Sequence, residues 1–307
     1  MSFDAVTSIV DFLKVFKRVQ LSLYDEARKV ESEFTRIQAT RNKREPLSNR
    51  GYRIPTIKHS GTVKCHWNRR NIIASGKYTT NRYKCPKSNT YSIRRVTSGS
   101  PEWEIKLLTE AEYKFTEIRK ISNSVKSVEK SLNTLIEKVN NVELELDYKP
   151  IIPDDQGTTE EFALMASNYT HEYVADVLNK LHARAVRIQD EYYENWMHNA
   201  AVHARSITGR FPSIRMNKNS LEIRWIKRTK IEDSAVITSY KKGGSGSYNV
   251  HKMTTGLPAW VSDLVGNAES NFNLVRIAAK SVHGVRRSTR ELITTINSTS
   301  RIDTIQM

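Results

Sequence analysis

The sequence predicts an α+β protein made by tandem duplication of one module: a long helix, a small antiparallel β-meander and a closing helix. Three observations predict it. The stretch from Pro55 to Ile136 recurs from Pro212 to Ile293, helical apolar periodicity flanks short alternating segments in both copies, and basic charge is concentrated on those segments. The repeat rests on landmarks at a spacing of 157 residues: Ile57 and Ile214, Tyr83-Lys84 and Tyr240-Lys241, Tyr91 and Tyr248, Pro101 and Pro258, Trp103 and Trp260. Leu107, Ala111, Glu112, Phe115, Arg119, Leu135 and Ile136 then fall on Leu264, Ala268, Glu269, Phe272, Arg276, Leu292 and Ile293. Trp67 and Trp225 stand one step out of register, which requires one inserted residue that the following loop removes. Two copies of one module in one chain resemble a dimer fused head to tail, a pseudo-dimeric monomer.

The elements follow in order. From Phe3 to about Arg41, Val6, Ile9, Val10, Leu13, Phe16, Val19, Leu23 and Val30 recur at helical spacing, ending in Arg41-Asn-Lys-Arg-Glu-Pro46. Thr62 to Asn68, Lys77 to Cys85 and Tyr91 to Val96 alternate apolar and polar residues, with turn chemistry at Ser60-Gly61, Ser75-Gly76 and Pro86 to Asn89, and read as the meander. Ser100-Pro101 places an N-cap and a first-turn proline before a helix reaching about Val142, with Trp103, Leu107, Ala111, Phe115, Ile118, Ile121, Val125 and Leu132 on one face. In the second copy, Thr158-Thr-Glu-Glu161 has capping-box spacing and opens a helix to about Ala204. Strands are expected at Ser220 to Trp225, Ala235 to Tyr240 and Tyr248 to Met253, with a glycine-rich hairpin between Tyr240 and Tyr248, and Pro258 starts the closing helix. The expected division is a first module over 1–146, a linker rich in proline and turn residues over 147–157, and a second module over 158–307.

The net charge is +16, and its placement narrows the partners. From Arg36 to Arg95 there are sixteen Lys or Arg against the single acid Glu45, while Arg205 to Met253 holds eleven against Glu222, Glu232 and Asp233. Two focused basic patches point to a polyanion. No run approaches a membrane helix, and Asp4 and Asp11 stand where a signal peptide would be basic and then apolar, so no membrane partner is expected and the cytoplasm is the expected compartment. The two cysteines, Cys65 and Cys85, do not make a disulfide framework.

The candidate nucleic-acid-binding residues are Lys64, Arg69, Arg70, Arg82, Lys84, Arg94 and Arg95 in the first copy, and Arg224, Lys227, Arg228, Lys241 and Lys242 in the second. Arg69 and Arg70 answer Lys227 and Arg228, and Lys84 answers Lys241; by contrast Lys64 stands opposite Glu222, Arg224 opposite His66, Arg82 opposite Ser239, and Lys242 opposite Cys85. The unequal charge predicts unequal grip on a polyanion. Six to ten phosphate contacts would make binding fall roughly three to five decades between low and moderate salt. Trp67, Trp225, Trp103 and Trp260 are expected in the core rather than stacked on bases.

The strand Leu221-Glu-Ile-Arg-Trp225 followed by Lys227-Arg228, the glycine-rich stretch after Tyr240-Lys-Lys, then Trp260 and the Glu269 to Arg276 helix form one pattern. The first copy carries the same outline at Val63, Cys65, Trp67, Arg69, Arg70, Trp103, Glu112, Phe115, Ile118, Arg119 and Lys120. This pattern resembles the MobI proteins of conjugative plasmids and integrative conjugative elements, over roughly two thirds of the chain. The duplication departs from that family's single module, and Cys85-Pro-Lys-Ser-Asn89 replaces the glycines in the first copy. The resemblance implies an accessory factor that binds double-stranded DNA at an origin of transfer and helps a separate relaxase start strand transfer.

Catalysis finds no positive sign. A relaxase would need a His-x-His metal motif, and none of His59, His66, His171, His182, His198, His203, His251 and His283 forms one. Cys65, His66, Cys85 and His59 could suggest zinc, yet Ile223, Arg224 and Lys242 stand at the places of the first three in the second copy, so no metal or cofactor is expected. Two other classes stay open: a basic structural or assembly protein that binds acidic protein partners, and an RNA-binding protein. A pseudo-twofold between the copies predicts an inverted repeat in the target, and a translation predicts a direct repeat.

Overall fold

The structure is a computed structural model of the 307-residue chain and describes residues 3–72, 78–84, 90–142, 144–146, 157–203, 209–217, 220–231, 234–243 and 246–303. A two-residue strand β1 (Phe3–Asp4) leads into α1 (Ala5–Asn42). The Asp4 carboxylate accepts from the amides of Val6 and Thr7 at 3.2 and 3.0 Å, closing donors that a helix start leaves open. A short 3-10 turn (Leu47–Asn49) precedes β2 (Arg53–His59), β3 (Val63–Ile72) and β4 (Tyr78–Arg82), then a short helix α2 (Ile93–Thr97) and the long α3 (Glu102–Val139). After β5 (Glu145–Leu146) the order repeats: α4 (Thr159–His203), β6 (Arg210–Asn217), β7 (Ser220–Ile231), β8 (Ser234–Ser239), α5 (Val250–Thr254) and α6 (Ala259–Asp303). The capping box at the start of α4 forms as its sequence dictates, with Thr158 N donating to Glu161 Oε2 at 2.8 Å and Glu161 N to Thr158 Oγ1 at 3.2 Å.

The α+β class and the duplication hold, and each copy carries three antiparallel strands in the order β2-β3-β4 or β6-β7-β8. Which residues form the strands differs from the sequence reading. Arg53–His59 and Arg210–Asn217 are strands although Pro55 and Pro212 lie inside them. Both prolines are tolerated because β2 and β6 are edge strands, where a missing amide costs no ladder bond on the open side. Tyr91 to Val96 and Tyr248 to Met253, expected as strands, contain helices instead. In the first copy Tyr91 and Val96 are buried while Ile93 between them is exposed, a spacing one helical turn satisfies; in the second, Asn249 Oδ1 caps α5 by accepting from Lys252 N at 2.9 Å. The glycine-rich stretch after Tyr240 is therefore no hairpin between strands: it runs from the end of β8 to α5. The expected turns at Ser75-Gly76 and Pro86 to Asn89, and the linker 147–156, lie outside the described residues.

The register also locates the inserted residue. Pro55 pairs with Trp67 and Pro212 with Trp225, so the extra position falls in the hairpin joining β6 to β7.

The chain divides into two compact units that each draw on both copies. One unit holds Phe12–Lys130 with Ile152–Asn168 and Ser288–Met307. Its first-copy helices bury Phe12, Phe16, Val19, Leu23, Phe34, Leu108, Phe115, Ile121 and Val125. The segments from the second copy join them through Ser22 and Thr159 hydroxyls 2.7 Å apart and the guanidinium of Arg18 5.5 Å over the Phe162 ring. The other unit holds Tyr169–Arg287 with Met1–Asp11 and Ser131–Ile151, where β1 pairs with β5 and Tyr173 Oη donates to Ala5 O at 3.2 Å.

Candidate nucleic-acid interface

Each sheet is fixed to its closing helix by the same buried constellation. Glu112 on α3 accepts the Trp67 indole N–H at 2.7 Å and the Tyr91 amide at 2.9 Å, and it pairs with Arg119. Glu269 on α6 accepts from Trp225 Nε1 at 2.8 Å and Tyr248 N at 2.8 Å, and it pairs with Arg276. Arg119 lies 5.2 Å over the Tyr91 ring and Arg276 5.3 Å over the Tyr248 ring. A second arginine ties each edge strand to its short helix: Arg53 Nε donates to Val96 O at 2.8 Å and Arg210 Nε to Met253 O at 2.9 Å. Trp67 and Trp225 are wholly buried, as expected, and edge-on to Phe115 and Phe272 at 5.6 and 5.9 Å. Trp103 and Trp260 are half-buried. A buried carboxylate and guanidinium hold position only while both are present, because either alone leaves an uncompensated charge.

With Val63, Cys65 and Trp67 turned inward, the alternate residues of β3 form an outer face. Register adds the flanking strands: Lys58 pairs with Lys64, Thr56 with His66, Ile54 with Asn68, Asn68 with Arg82 and Arg70 with Thr80. Lys58, Lys64, Arg70 and Arg82 are exposed on this face, and no acidic residue occupies any of its named positions. It extends about 20 Å from Lys64 to Arg70 and about 10 Å across the three strands. His66 sits at its centre with Nδ1 3.3 Å from Tyr91 Oη and a buried, unpartnered Nε2. Burial, then Arg82, Arg119, Lys64 and Lys58, push its imidazole down to about 4, so at neutral pH it adds no charge.

The outer face of the second sheet has another character. Arg215, Glu222, Arg224, Ser213, Phe211, Ile226, Ile237 and Ser239 share it by register. Glu222 stands where Lys64 does and ties Arg224 in an ion pair at 2.5 Å. Ile237 is 56% exposed at the place of Thr80. Phe211 turns to α4, stacking on Tyr193 at 5.6 Å and meeting Trp196 at 5.3 Å.

The structure thus brings Lys64, Arg70 and Arg82 onto one face and leaves other sequence-predicted residues apart from it. Arg69 has the phase of Trp67, pairs with Arg53 across the sheet and lies beside Gly99 ahead of α3. Arg94 and Arg95 are exposed on α2, and Lys84 is exposed just past β4. In the second copy Arg224 is held by Glu222, and Lys227 is half-buried and pairs with Arg210. Arg228 pairs with Ile237 in the register, its side chain lying outside the described residues. Lys241 and Lys242 are exposed after β8. Sequence reasoning missed Lys58 and Arg215, because β2 and β6 were hidden by their prolines, and it missed the bracing pair Arg53 and Arg210, which stand at the same 157-residue spacing two positions before the repeat as read.

The fold and this surface define a class: a duplicated helix–sheet–helix protein with a cationic sheet face. The family described as MobI protein matches residues 23–133 and 181–290, well over half of the chain. The chain belongs to the MobI family, in two copies, and membership suggests an accessory role in conjugative transfer. Each matched region contains one whole sheet with its short helix and parts of the two long helices that flank it. No curated protein and no solved structure matches the chain. Among the described residues, no helix is long and apolar enough to cross a membrane.

Proposed function

We propose that this protein is a sequence-specific double-stranded DNA-binding factor that recognises an origin of transfer and assists the relaxase that initiates conjugative mobilisation, acting in the cytoplasm without catalysis of its own. The observation that carries this reading is the acid-free cationic face of the first sheet on a chain of the MobI family. Duplex DNA presents about one charge per 1.7 Å of axis, so a face about 20 Å long meets several phosphates at once. Lys58, Lys64, Arg70 and Arg82 position the duplex, with Arg69, Lys84, Arg94 and Arg95 extending the grip at the sheet's end. Arg224, Lys227, Arg228, Lys241 and Lys242 provide the weaker contact of the second copy. The functional division of the chain is 1–146 and 158–307, joined by 147–157.

The test is fluorescence anisotropy with tiled duplexes from the protein's own element, scrambled duplexes and matched structured RNA, across a salt series. The expected result is one tile bound well above the scrambled controls and the RNA at physiological salt. Uniform binding that collapses with salt, or preference for RNA, contradicts the proposal.

A further inference from the structure

The two copies treat their buried arginine differently. In the first copy Arg119 Nη1 donates to Cys65 O at 3.1 Å, and Nη2 reaches Thr116 Oγ1 at 3.0 Å as well as Glu112. In the second copy Arg276 Nη2 binds Glu269, while Nε and Nη1 are buried with no hydrogen-bond partner among the described residues. Only 9% of the Arg276 side chain is exposed, and its guanidinium lies over the Tyr248 ring. A buried donor left unmade is destabilising, and more so on a charged group.

Arg276 lines a cleft of about 410 Å³. Lys242 and Lys280 line it too, with Asn273, His283 and Ser220, and no carboxylate is among its described lining residues. Gly243 and Gly246 shape one wall: Gly246 N donates to Gly243 O at 2.9 Å, and Gly246 has φ of 82°, the left-handed region that glycine allows. Burial, and next Arg276, lower the Lys242 ammonium from its ordinary value while Glu222 and Glu269 oppose that shift, and burial with Arg286 lowers His283. The cleft thus gathers the Lys242 and Lys280 ammonium groups in front of Arg276, whose own charge is paired with Glu269. At the corresponding positions of the first copy, Thr116, Asn123 and Lys126 stand where Asn273, Lys280 and His283 stand here, and Thr116 closes onto Arg119.

We infer that this cleft binds a phosphate-class oxyanion, with Lys242 and Lys280 as its direct contacts and the Arg276 guanidinium as the fixed charge behind them. The volume suits a small phosphorylated ligand. The anion's source is either a phosphate of bound nucleic acid or a free phosphorylated molecule, and the inference does not need the duplex reading to hold.

Inorganic pyrophosphate titrated calorimetrically into the full chain tests it. The expected result is saturable binding, weakened about tenfold by Lys280→Gln and similarly by Lys242→Gln, the loss of one charge-assisted hydrogen bond each. Lys17→Gln, at an exposed position of α1, serves as the control and leaves the affinity unchanged. Both cleft substitutions are at exposed positions and spare the Arg276–Glu269 pair, so the variants remain folded, which circular dichroism checks. No saturable binding, unaltered affinity in both cleft variants, or an equal loss with Lys17→Gln overturns the inference. Repeating the titration on duplex-saturated protein assigns the source: loss of pyrophosphate binding identifies a nucleic-acid phosphate, and retained binding a free ligand.

Discussion

The two sheets share a buried frame and differ on the surface that frame presents. Glu112 and Glu269 make the same bonds to a tryptophan, a tyrosine amide and an arginine, within about 0.1 Å of each other for the first two. Outside, the first sheet shows Lys58, Lys64, Arg70 and Arg82 without an acid, whereas the second shows Glu222 pairing Arg224 beside exposed Ile237. Duplication thus kept what orients the sheet and let the outer positions diverge. The outer charge is not needed to hold the fold, because the second sheet keeps the same register and the same buried pairs without it.

Breaking the shared frame should cost most. Glu112→Ala and Glu269→Ala each strand a buried arginine and an indole N–H, and each should cost about 3–5 kcal/mol. Urea unfolding measures both, and a negligible loss in either would separate the two frames. A more modest loss should distinguish the copies. Gln38 donates to Arg53 O and to Glu104 Oε1, both at 2.7 Å, and Glu104 is buried; in the second copy Tyr192 Oη donates to Arg210 O and Trp196 packs on Tyr192. Gln38→Leu removes an acceptor's partner from a buried carboxylate and should cost about 1–3 kcal/mol. An unchanged urea midpoint would show that the polar network of the first copy is dispensable.

A subtler contrast between the sheets lies in their response to pH. His66 holds its imidazole at about 4 in the folded protein against an ordinary 6.5. Between those values the unfolded chain binds a proton that the folded protein refuses, so stability rises with pH across this window and is lost as pH falls from about 6.5 to about 4. The second sheet has a guanidinium, Arg224, and no imidazole at this place. His66→Gln should flatten the dependence of the urea midpoint on pH in this window, and an identical slope in the variant would contradict the assignment.

Much of this was legible in the sequence because large residues at one spacing carry tertiary information. Trp67 lies far along the chain from Glu112 and Arg119, yet all three recur as Trp225, Glu269 and Arg276, and the recurrence marks as repeat landmarks the residues that form the buried frame. Helix limits were readable from apolar periodicity and from the box at Thr158 and Glu161. The edge strands were not, since a proline inside a strand reads as a break unless its amide is known to face away from the ladder. The segments Ile93–Thr97 and Val250–Thr254 were misread because β-branched residues in a short run fit a strand as well as one helical turn. For the candidate site, charge density identified the region, but only register separates Arg70, on the outer face, from Arg69, one residue away and in phase with the core.

Duplex binding by two triple variants over a salt series decides between the two faces: Lys64, Arg70 and Arg82 to Ala, and Arg215, Arg224 and Arg228 to Ala. Three lost phosphate contacts should lower the slope of log affinity against log salt by about three in the first variant, and by distinctly less in the second, where Glu222 already occupies Arg224. Equal losses, or a larger loss from the second sheet, would contradict the claim that the first sheet's cationic face is the principal DNA contact.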